Sequence, residues 1–367
     1  MSIESSRCWA EINRSALLHN AAIARERVGN SASLLAVIKA NGYGHGLTQM
    51  AETLAPVAQL FGVANLEEAR EARSVSAHPI VILGPALPDE RARICELGFI
   101  PSVSSYEEAL EFDRAAGSTS VAINFVLDTG MGRMGAVQSE AVANLRKVSS
   151  LDGVTLHSIS THLPAADEDA DFTTGQLQQF SELVRQIRRE IPGDYKVHAL
   201  LSAGILAHSE QPFDIVRAGL MLYGISPLPE FQKILRPAMA LKSRVVLLRN
   251  VDSGTSVSYG RTFITSRPSR LATIGAGYAD GYSRSLSNRD ASVLIGGKRC
   301  PVLGRVTMDL IVADVTDLPD VGVGDEVVLI GGQGHQEILA SDLAARAGTI
   351  AWEVFTGIGS RVRRVYL

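Results

Sequence analysis

Apolar residues in this chain first come in short unbroken runs and later in briefer ones broken by turns, and the change falls near Arg236-Pro237. Before that point, residues 34–39, 61–65, 80–83, 99–103, 121–128, 154–160, 197–201 and 215–217 read as eight strands. Runs that are continuous rather than alternating suit strands covered on both faces. Helical spacing fills most of the gaps, as at residues 67–74, 105–115 and 176–189. Asn13 reads as a helix N-cap, ahead of a stripe of Ala16, Leu17, Leu18 and Ala21. Strand and helix alternating over about 200 residues predict a (β/α)8 barrel, with a doubly wound sheet as the alternative.

After Arg236 the helical stretches give way to short β-rich segments at residues 244–249, 271–274, 292–295, 311–315 and 326–330, separated by glycine and proline turns. Helical spacing returns after Ser341 and at residues 350–355. The pattern therefore predicts two domains, a barrel over residues 1–235 and a mostly β domain over residues 236–367.

The polar residues favour the barrel over the doubly wound sheet. Lys39 ends the first strand, Arg133 follows the fifth, His162 the sixth and Ser202 the seventh, and Arg217 ends the eighth. Barrel active sites gather at the C-terminal ends of the strands, so these five are expected to face one another. Lys39 is followed by ANGYGHG, whose glycines allow a tight turn. An amine there is placed to be desolvated, which lowers its pKa and frees it to form a Schiff base. The plainer reading is a lysine that snorkels out of a strand end. Tyr259, in SVSYG, reads by itself as a buried strand tyrosine.

Composition narrows the classes. A net charge of −4 argues against a nucleic-acid partner. Cys8, Cys95 and Cys300 lie far apart, with no metal-ligand spacing and no disulfide framework, which fits a reducing cytoplasm. MSIESSRCWA carries no apolar leader core, and no run is long enough for a membrane span. The arginines at 185, 188 and 189 read as a solvated helix face.

Seven motifs, AVIKANGYGHG, DTGMGRMG, STHLPAADE, VRAGLMLYG, VSYGRTF, GYADG and RVTMD, in this order and spacing, resemble the successive signatures of the alanine racemase family. The resemblance runs from about Trp9 to Arg361. It implies a pyridoxal 5′-phosphate enzyme that interconverts L- and D-alanine and supplies D-alanine for peptidoglycan. It also implies a barrel plus a β domain in a head-to-tail homodimer with shared active sites. By position, Lys39 would hold the cofactor as a Schiff base and serve as one catalytic base, and Tyr259 from the partner chain would serve as the other. Cofactor contacts would come from Tyr43, Arg133, His162, Ser202, Arg217, Gly219 and Leu220, and substrate contacts from Arg133 and Met308. His162 and Arg217 would form a cationic hydrogen-bond chain towards Tyr259, and Arg217 would meet the ring nitrogen and restrain transamination. No metal is implied.

Three positions depart from the family pattern. Val126 replaces a lysine that is often carbamylated and paired to the arginine, so Arg133 is expected to be oriented by chloride, water or Asn124. Leu201 stands where an asparagine is usual, and Ser360 where a tyrosine lines the way in. These changes bear on substrate range more than on reaction type. The rival readings are a racemase of the same fold preferring serine or a broader set, a barrel decarboxylase of basic amino acids, and a non-catalytic pyridoxal-phosphate carrier. The second domain speaks against the carrier, and the contexts of Lys39 and Tyr259 against the decarboxylase.

Overall fold

The computed structural model describes residues 6–29 and 32–367, so Met1–Ser5 of the opening stretch lie outside it. The chain divides into two compact units.

The first unit comprises Leu17–Gly42 and Leu47–Leu235. Its eight principal strands are Ser33–Val37, Leu60–Val63, Ile80–Ile82, Ile100–Val103, Val121–Asp128, Val154–Ser160, Lys196–His198 and Ile215–Ala218. Each pairs in parallel with the next from the first to the seventh, and the eighth returns to pair with the first. The Asp214 N–H donates to the Val197 carbonyl and the Arg217 N–H to the Leu200 carbonyl, both at 2.9 Å, which bridges the last seam. This is the expected (β/α)8 barrel. The fifth and sixth strands match the sequence reading residue for residue, whereas the first ends at Val37 rather than 39, the second at Val63 rather than 65 and the seventh at His198 rather than 201, because apolar residues continue past the last ladder bond.

The helices owe their starts to caps. Asn13 accepts from the Ala16 N–H at 3.0 Å and opens Arg14–Val28. Asn65, Ser105 and Asp169 cap Leu66–Arg73, Tyr106–Ala116 and Ala170–Glu190. The last helix begins six residues before the expected 176, because the Asp169 carboxylate accepts from the Phe172 N–H at 2.9 Å and nucleates a first turn with little apolar signal. Its inward stripe of Thr173, Gln176, Leu177, Phe180, Val184 and Ile187 follows helical spacing.

The second unit comprises Arg236–Leu367 with the chain up to Ala16 and Tyr43–Gly46. Its main sheet runs Lys298–Pro301, Ser292–Ile295, Glu326–Gln333, Met239–Val251, Cys8–Ile12 and Arg363–Tyr366. Ser269–Ile274 pairs with Met239–Val251 and with Ile311–Asp314. Cys8–Ile12 is antiparallel to Met239–Val251 and parallel to Arg363–Tyr366, with Trp9, Ala10 and Ile12 buried. The N-terminal segment thus groups with the β-rich unit, because its hydrogen-bonding partners all come from the far end of the chain. Among the described residues no helix is long and apolar enough to cross a membrane.

Candidate active site

Lys39 leaves the first barrel strand into a turn of unusual backbone. Ala40, Asn41, Gly42 and Tyr43 all lie in the left-handed region, at φ between 52° and 60°. Only the third of them is glycine, and each L-residue there costs about 1–2 kcal/mol. The fold holds the strain with specific bonds. The Gly42 N–H donates to the Ile38 carbonyl at 2.8 Å, and the Leu47 N–H to the Asn41 carboxamide oxygen at 3.0 Å. One oxygen of Glu68 accepts from the Ala40 N–H at 2.7 Å, the other from the Ala64 N–H at 2.8 Å. Lys39 itself is half-buried. Burial lowers its pKa, the Arg133 and Arg217 cations lower it further, and Glu68 opposes them.

Arg217 is buried at the end of the eighth strand. Its guanidinium donates to His198 Nδ1 at 2.7 Å and to the carbonyls of Thr161 at 2.6 Å, Ala199 at 2.8 Å and His198 at 3.2 Å. No carboxylate among the described residues pairs with it, and burial lowers its pKa to about 10. His162 Nδ1 stands 3.5 Å from the same guanidinium. Burial, followed by Arg217, Arg133 and Lys39, pushes the His162 pKa down to about 3. In the expected chain the positive charge sits on Arg217, and the lowered pKa of His162 disfavours a second one there. These four residues act on one another electrostatically, as barrel strand ends should.

Ser202 opens the short helix Ser202–Ala207, and its Oγ accepts from the Gly219 N–H at 3.0 Å and the Met221 N–H at 3.3 Å. Both bonds use oxygen lone pairs, so the hydroxyl proton is left available to donate. Leu220 begins the turn Leu220–Tyr223, and its N–H has no acceptor within that turn. Leu201 sits immediately before Ser202 as the helix N-cap and gives no side-chain capping bond.

Arg133 is exposed and makes no hydrogen bond or ion pair among the described residues. Its loop is ordered from below, where the Asp128 carboxylate accepts from the N–H groups of Gly130, Met131 and Gly132. Burial would raise the Asp128 carboxyl, but the three donors outweigh it and its pKa is lowered. The expectation that Asn124 orients Arg133 is overturned. Asn124 is buried and bonded to Ser102, Ser158 and His198. Gln176, which the sequence reading passed over, ties the two neighbouring loops together by donating to Thr129 Oγ1 at 2.8 Å and to the His162 carbonyl at 2.9 Å.

Tyr43, Tyr259 and Met308 belong to the β-rich unit. Tyr43 is buried and hydrogen-bonded to Trp352, and burial raises its phenol to about 12. Tyr259 is 71 % exposed, which overturns the reading of a buried strand tyrosine. The strand ends after Ser256–Val257, because Ser258 turns to φ 63° and Tyr259–Arg261 forms a tight turn. Met308 is also exposed, in a loop bound to its neighbour. The Tyr278 N–H donates to the Thr307 carbonyl and the Ala279 N–H to the Met308 carbonyl, both at 3.0 Å. Arg361, beside Ser360, clamps both loops through Asp280 at 2.8 and 2.9 Å and Asp309 at 2.8 Å. Asp280 is legible only as a member of GYADG and Arg361 only as the end of the resemblance, since nothing local shows that they meet.

Known proteins place this arrangement. Residues 12–227 match the family model for the N-terminal domain of alanine racemase, and residues 238–366 that for its C-terminal domain. An alanine racemase of Halothermothrix orenii is 41% identical over 98% of this chain and 96% of its own. Among solved structures, alanine racemase of Clostridium difficile 630 superposes with a TM-score of 0.91 at 31% identity, over 99% of this chain and 96% of its own. An alanine racemase of Bartonella henselae with covalently bound pyridoxal phosphate gives 0.89 at 29%, over 99% and 100%. With both halves matched and a 41% identical relative over nearly its whole length, this chain belongs to the alanine racemase family.

Proposed function

We propose that this chain is a pyridoxal 5′-phosphate-dependent racemase that interconverts L- and D-alanine, moving a proton on and off the α-carbon from two opposite faces. The observation that carries the reading is the Lys39 amine, half-buried at a strand end, lowered in pKa and held over a strained turn. Lysines that snorkel into water have no such surroundings.

The barrel residues fit that cofactor. Lys39 offers an amine for its aldehyde. The Ser202 hydroxyl and the Leu220 N–H offer donors for its phosphate, with the Gly219 amide holding Ser202 in place and Tyr43 giving a second hydroxyl. Arg217, a buried cation with no carboxylate, suits a ring nitrogen that lacks a proton, and Arg133 suits the phenolic oxygen. When bound, the cofactor supplies the electron-withdrawing ring that makes an amino acid's α-proton removable. Lys39 takes and returns the proton on one face, and its lowered pKa eases the loss of the ammonium proton that this work requires. The partner subunit's Tyr259 serves the other face. The exposure of Tyr259 supports that role, because within one chain nothing among its surroundings buries it. With Nδ1 turned to the Arg217 guanidinium, the neutral His162 ring carries its proton on Nε2 and can donate it to the tyrosine oxygen and fix its direction, while Arg217 provides the positive charge of that chain of groups. Arg217 effectively cannot release its proton. It therefore donates and never accepts at the ring nitrogen, which restrains transamination. Arg133 and Met308 meet the substrate. In this reading the barrel unit holds the cofactor through Lys39, Ser202 and Arg217, and the β-rich unit presents Tyr259 to the partner's site in a head-to-tail homodimer. The product is D-alanine for peptidoglycan, and three free cysteines fit a cytoplasmic setting.

The test is to load the purified protein with the cofactor, reduce it with borohydride and map the labelled peptide, then follow a panel of L-amino acids by loss of circular dichroism. Label on Lys39 and fastest loss with alanine are expected. Label elsewhere, release of carbon dioxide, or a strong preference for serine would overturn the assignment.

A further inference from the structure

Beneath Arg217 lies a line of buried polar side chains that the family motifs do not cover. It crosses five barrel strands. Ser102, Asn124, Ser158, His198 and Arg217 are each no more than 6% exposed. Every contact along it is short, and its direction can be deduced.

Arg217 has donors only, so the 2.7 Å contact with His198 Nδ1 requires a bare lone pair on that nitrogen. His198 therefore carries its single proton on Nε2. That proton faces the Asn124 carboxamide oxygen at 3.1 Å and Ser158 Oγ at 3.3 Å. Asn124 must present its oxygen to His198, because its amide nitrogen donates to Ser102 Oγ at 3.0 Å. Ser158 reinforces this by donating to the same oxygen at 3.0 Å. Its one proton is then spent, so His157 Nδ1, 3.0 Å from Ser158 Oγ, must itself carry a proton. The groups facing His198 are thus Arg217, Asn124, Ser158 and, through Ser158, His157. None is an anion, so nothing there favours a second proton on the ring.

We propose that His198 and Asn124 are positioning residues that set the direction of the Arg217 guanidinium through a hydrogen-bond relay of fixed polarity, Arg217 to His198 to Asn124 to Ser102. The inference rests on the reading that Arg217 meets the cofactor. It adds that Arg217 is held there by one imidazole tautomer, and that the tautomer is chosen by an asparagine on the far side of the ring. A charged partner at Asn124 would draw a second proton onto His198, remove the lone pair on Nδ1 and set two cations against each other. A carboxamide leaves one cation in the group.

The relay is read directly in the wild-type holoenzyme labelled with ¹⁵N-histidine, using His198→Gln to assign the His198 signals. The expected pattern is one protonated and one bare nitrogen, with the proton on Nε2. A proton on Nδ1, or on both nitrogens, would overturn the relay without any variant having to fold. Substitutions then test whether polarity rather than volume matters. In His198→Gln, the side-chain oxygen can accept from Arg217 and the amide can donate to Asn124. Its cofactor dissociation constant and visible band are expected to stay within about threefold and unshifted. His198→Leu and Asn124→Asp should weaken cofactor binding by about tenfold, the scale of one hydrogen bond to a charged group, shift the visible band, and lower kcat more than they raise KM for alanine. Equal losses in His198→Gln and His198→Leu, both confirmed as folded, would mean that the residue only fills space. Arg217→Gln separates this from the parent reading. If Arg217→Gln leaves the band and the constant unchanged, Arg217 does not meet the cofactor and both readings fall. If it moves them and Asn124→Asp does not, only the relay falls.

Discussion

The barrel unit and the β-rich unit carry their chemistry in opposite ways. In the barrel, Arg217 is 6% exposed, Ser202 is 4% exposed, and both are tied down by bonds to other strand ends. In the β-rich unit, Tyr259 is 71% and Met308 53% exposed, on loops whose backbones are nonetheless fixed by hydrogen bonds and the Arg361 clamp. Buried groups have their pKa values set by the chain that bears them. The exposed Tyr259 phenol is instead presented on a rigid turn. The difference is the one the proposed shared site requires, with a half held inside one chain and a half presented outward for a second.

Lys39→Ala tests the complete half and carries the largest effect. Among the described residues Lys39 is the only lysine at a barrel strand end above that turn, so its loss should remove both the visible absorbance of lysine-bound cofactor and all racemisation. A borohydride-reducible chromophore in the variant would show that another amine holds the cofactor and break the comparison at its first term.

The prepared half is tested by mixing. Lys39→Ala and Tyr259→Phe homodimers should each be inactive, for different reasons. Exchange of subunits in equal amounts makes half of the dimers mixed, and each mixed dimer has one site with both residues intact and one with neither. About a quarter of wild-type activity should therefore return, given a two-fold dimer. If Tyr259 acts in its own chain, every site keeps a defect and nothing returns, which mass-labelled subunits would distinguish from failed exchange.

These two predictions rest on residues of very different legibility. Lys39 was visible because an apolar run stops at a charge and a cluster of glycines. The same logic recovered all eight barrel strands, since burial on both faces leaves an unbroken apolar signature. His198 was missed for the converse reason: it lies inside such a run, in KVHALL, where one polar residue looks like noise until its partners on neighbouring strands are known. Cys8–Ile12 was missed because its partners lie more than 200 residues away and no local pattern points to them. Tyr259 was misread because SVSY alternates like a strand, while the positive φ of Ser258 that ends the strand leaves no mark in the sequence. Lys39's strained turn is similar, since two of its left-handed residues are Ala40 and Tyr43, where glycine would be expected.

The buried histidines sharpen the comparison through acid. An unfolded histidine titrates near 6.5, whereas His162 is pushed to about 3 and His198 well below its ordinary value, by burial first and by Arg217 next. Below about pH 6.5 the unfolded chain binds protons that the folded barrel refuses. Barrel stability is therefore full above that pH and falls as pH drops, by up to about 1.4 kcal/mol per pH unit for each histidine. Denaturant unfolding between pH 7 and pH 4, followed by a barrel-specific signal, should show this slope, and His162→Gln should flatten it, with His198 and the similarly lowered His157 keeping the remainder. An unchanged slope in His162→Gln would place the acid sensitivity elsewhere.

The smallest effects compare how each unit uses glycine. In the β-rich unit, a Cβ on Gly277 would lie 2.3 Å from the Thr307 carbonyl oxygen and 2.4 Å from that of Met308. Both obstacles are backbone, so the two loops must part. Gly277→Ala should cost on the order of 3 kcal/mol and disturb the loop that carries Met308, with alanine KM rising as stability falls. In the barrel, Gly98 follows the helix Arg91–Glu96 at φ +65°, with nothing within 4 Å of its missing Cβ. Its N–H donates to the Cys95 carbonyl at 3.1 Å, as a left-handed residue closing a helix should. Gly98→Ala pays only for that conformation, about 1 kcal/mol, with no neighbour to move and no reason for kcat or KM to change. Paired melts and kinetics of the two variants decide the matter. If Gly98→Ala impaired turnover as much as Gly277→Ala, the β-rich loops would not be specially shaped for the site, and their close packing would be ordinary scaffold.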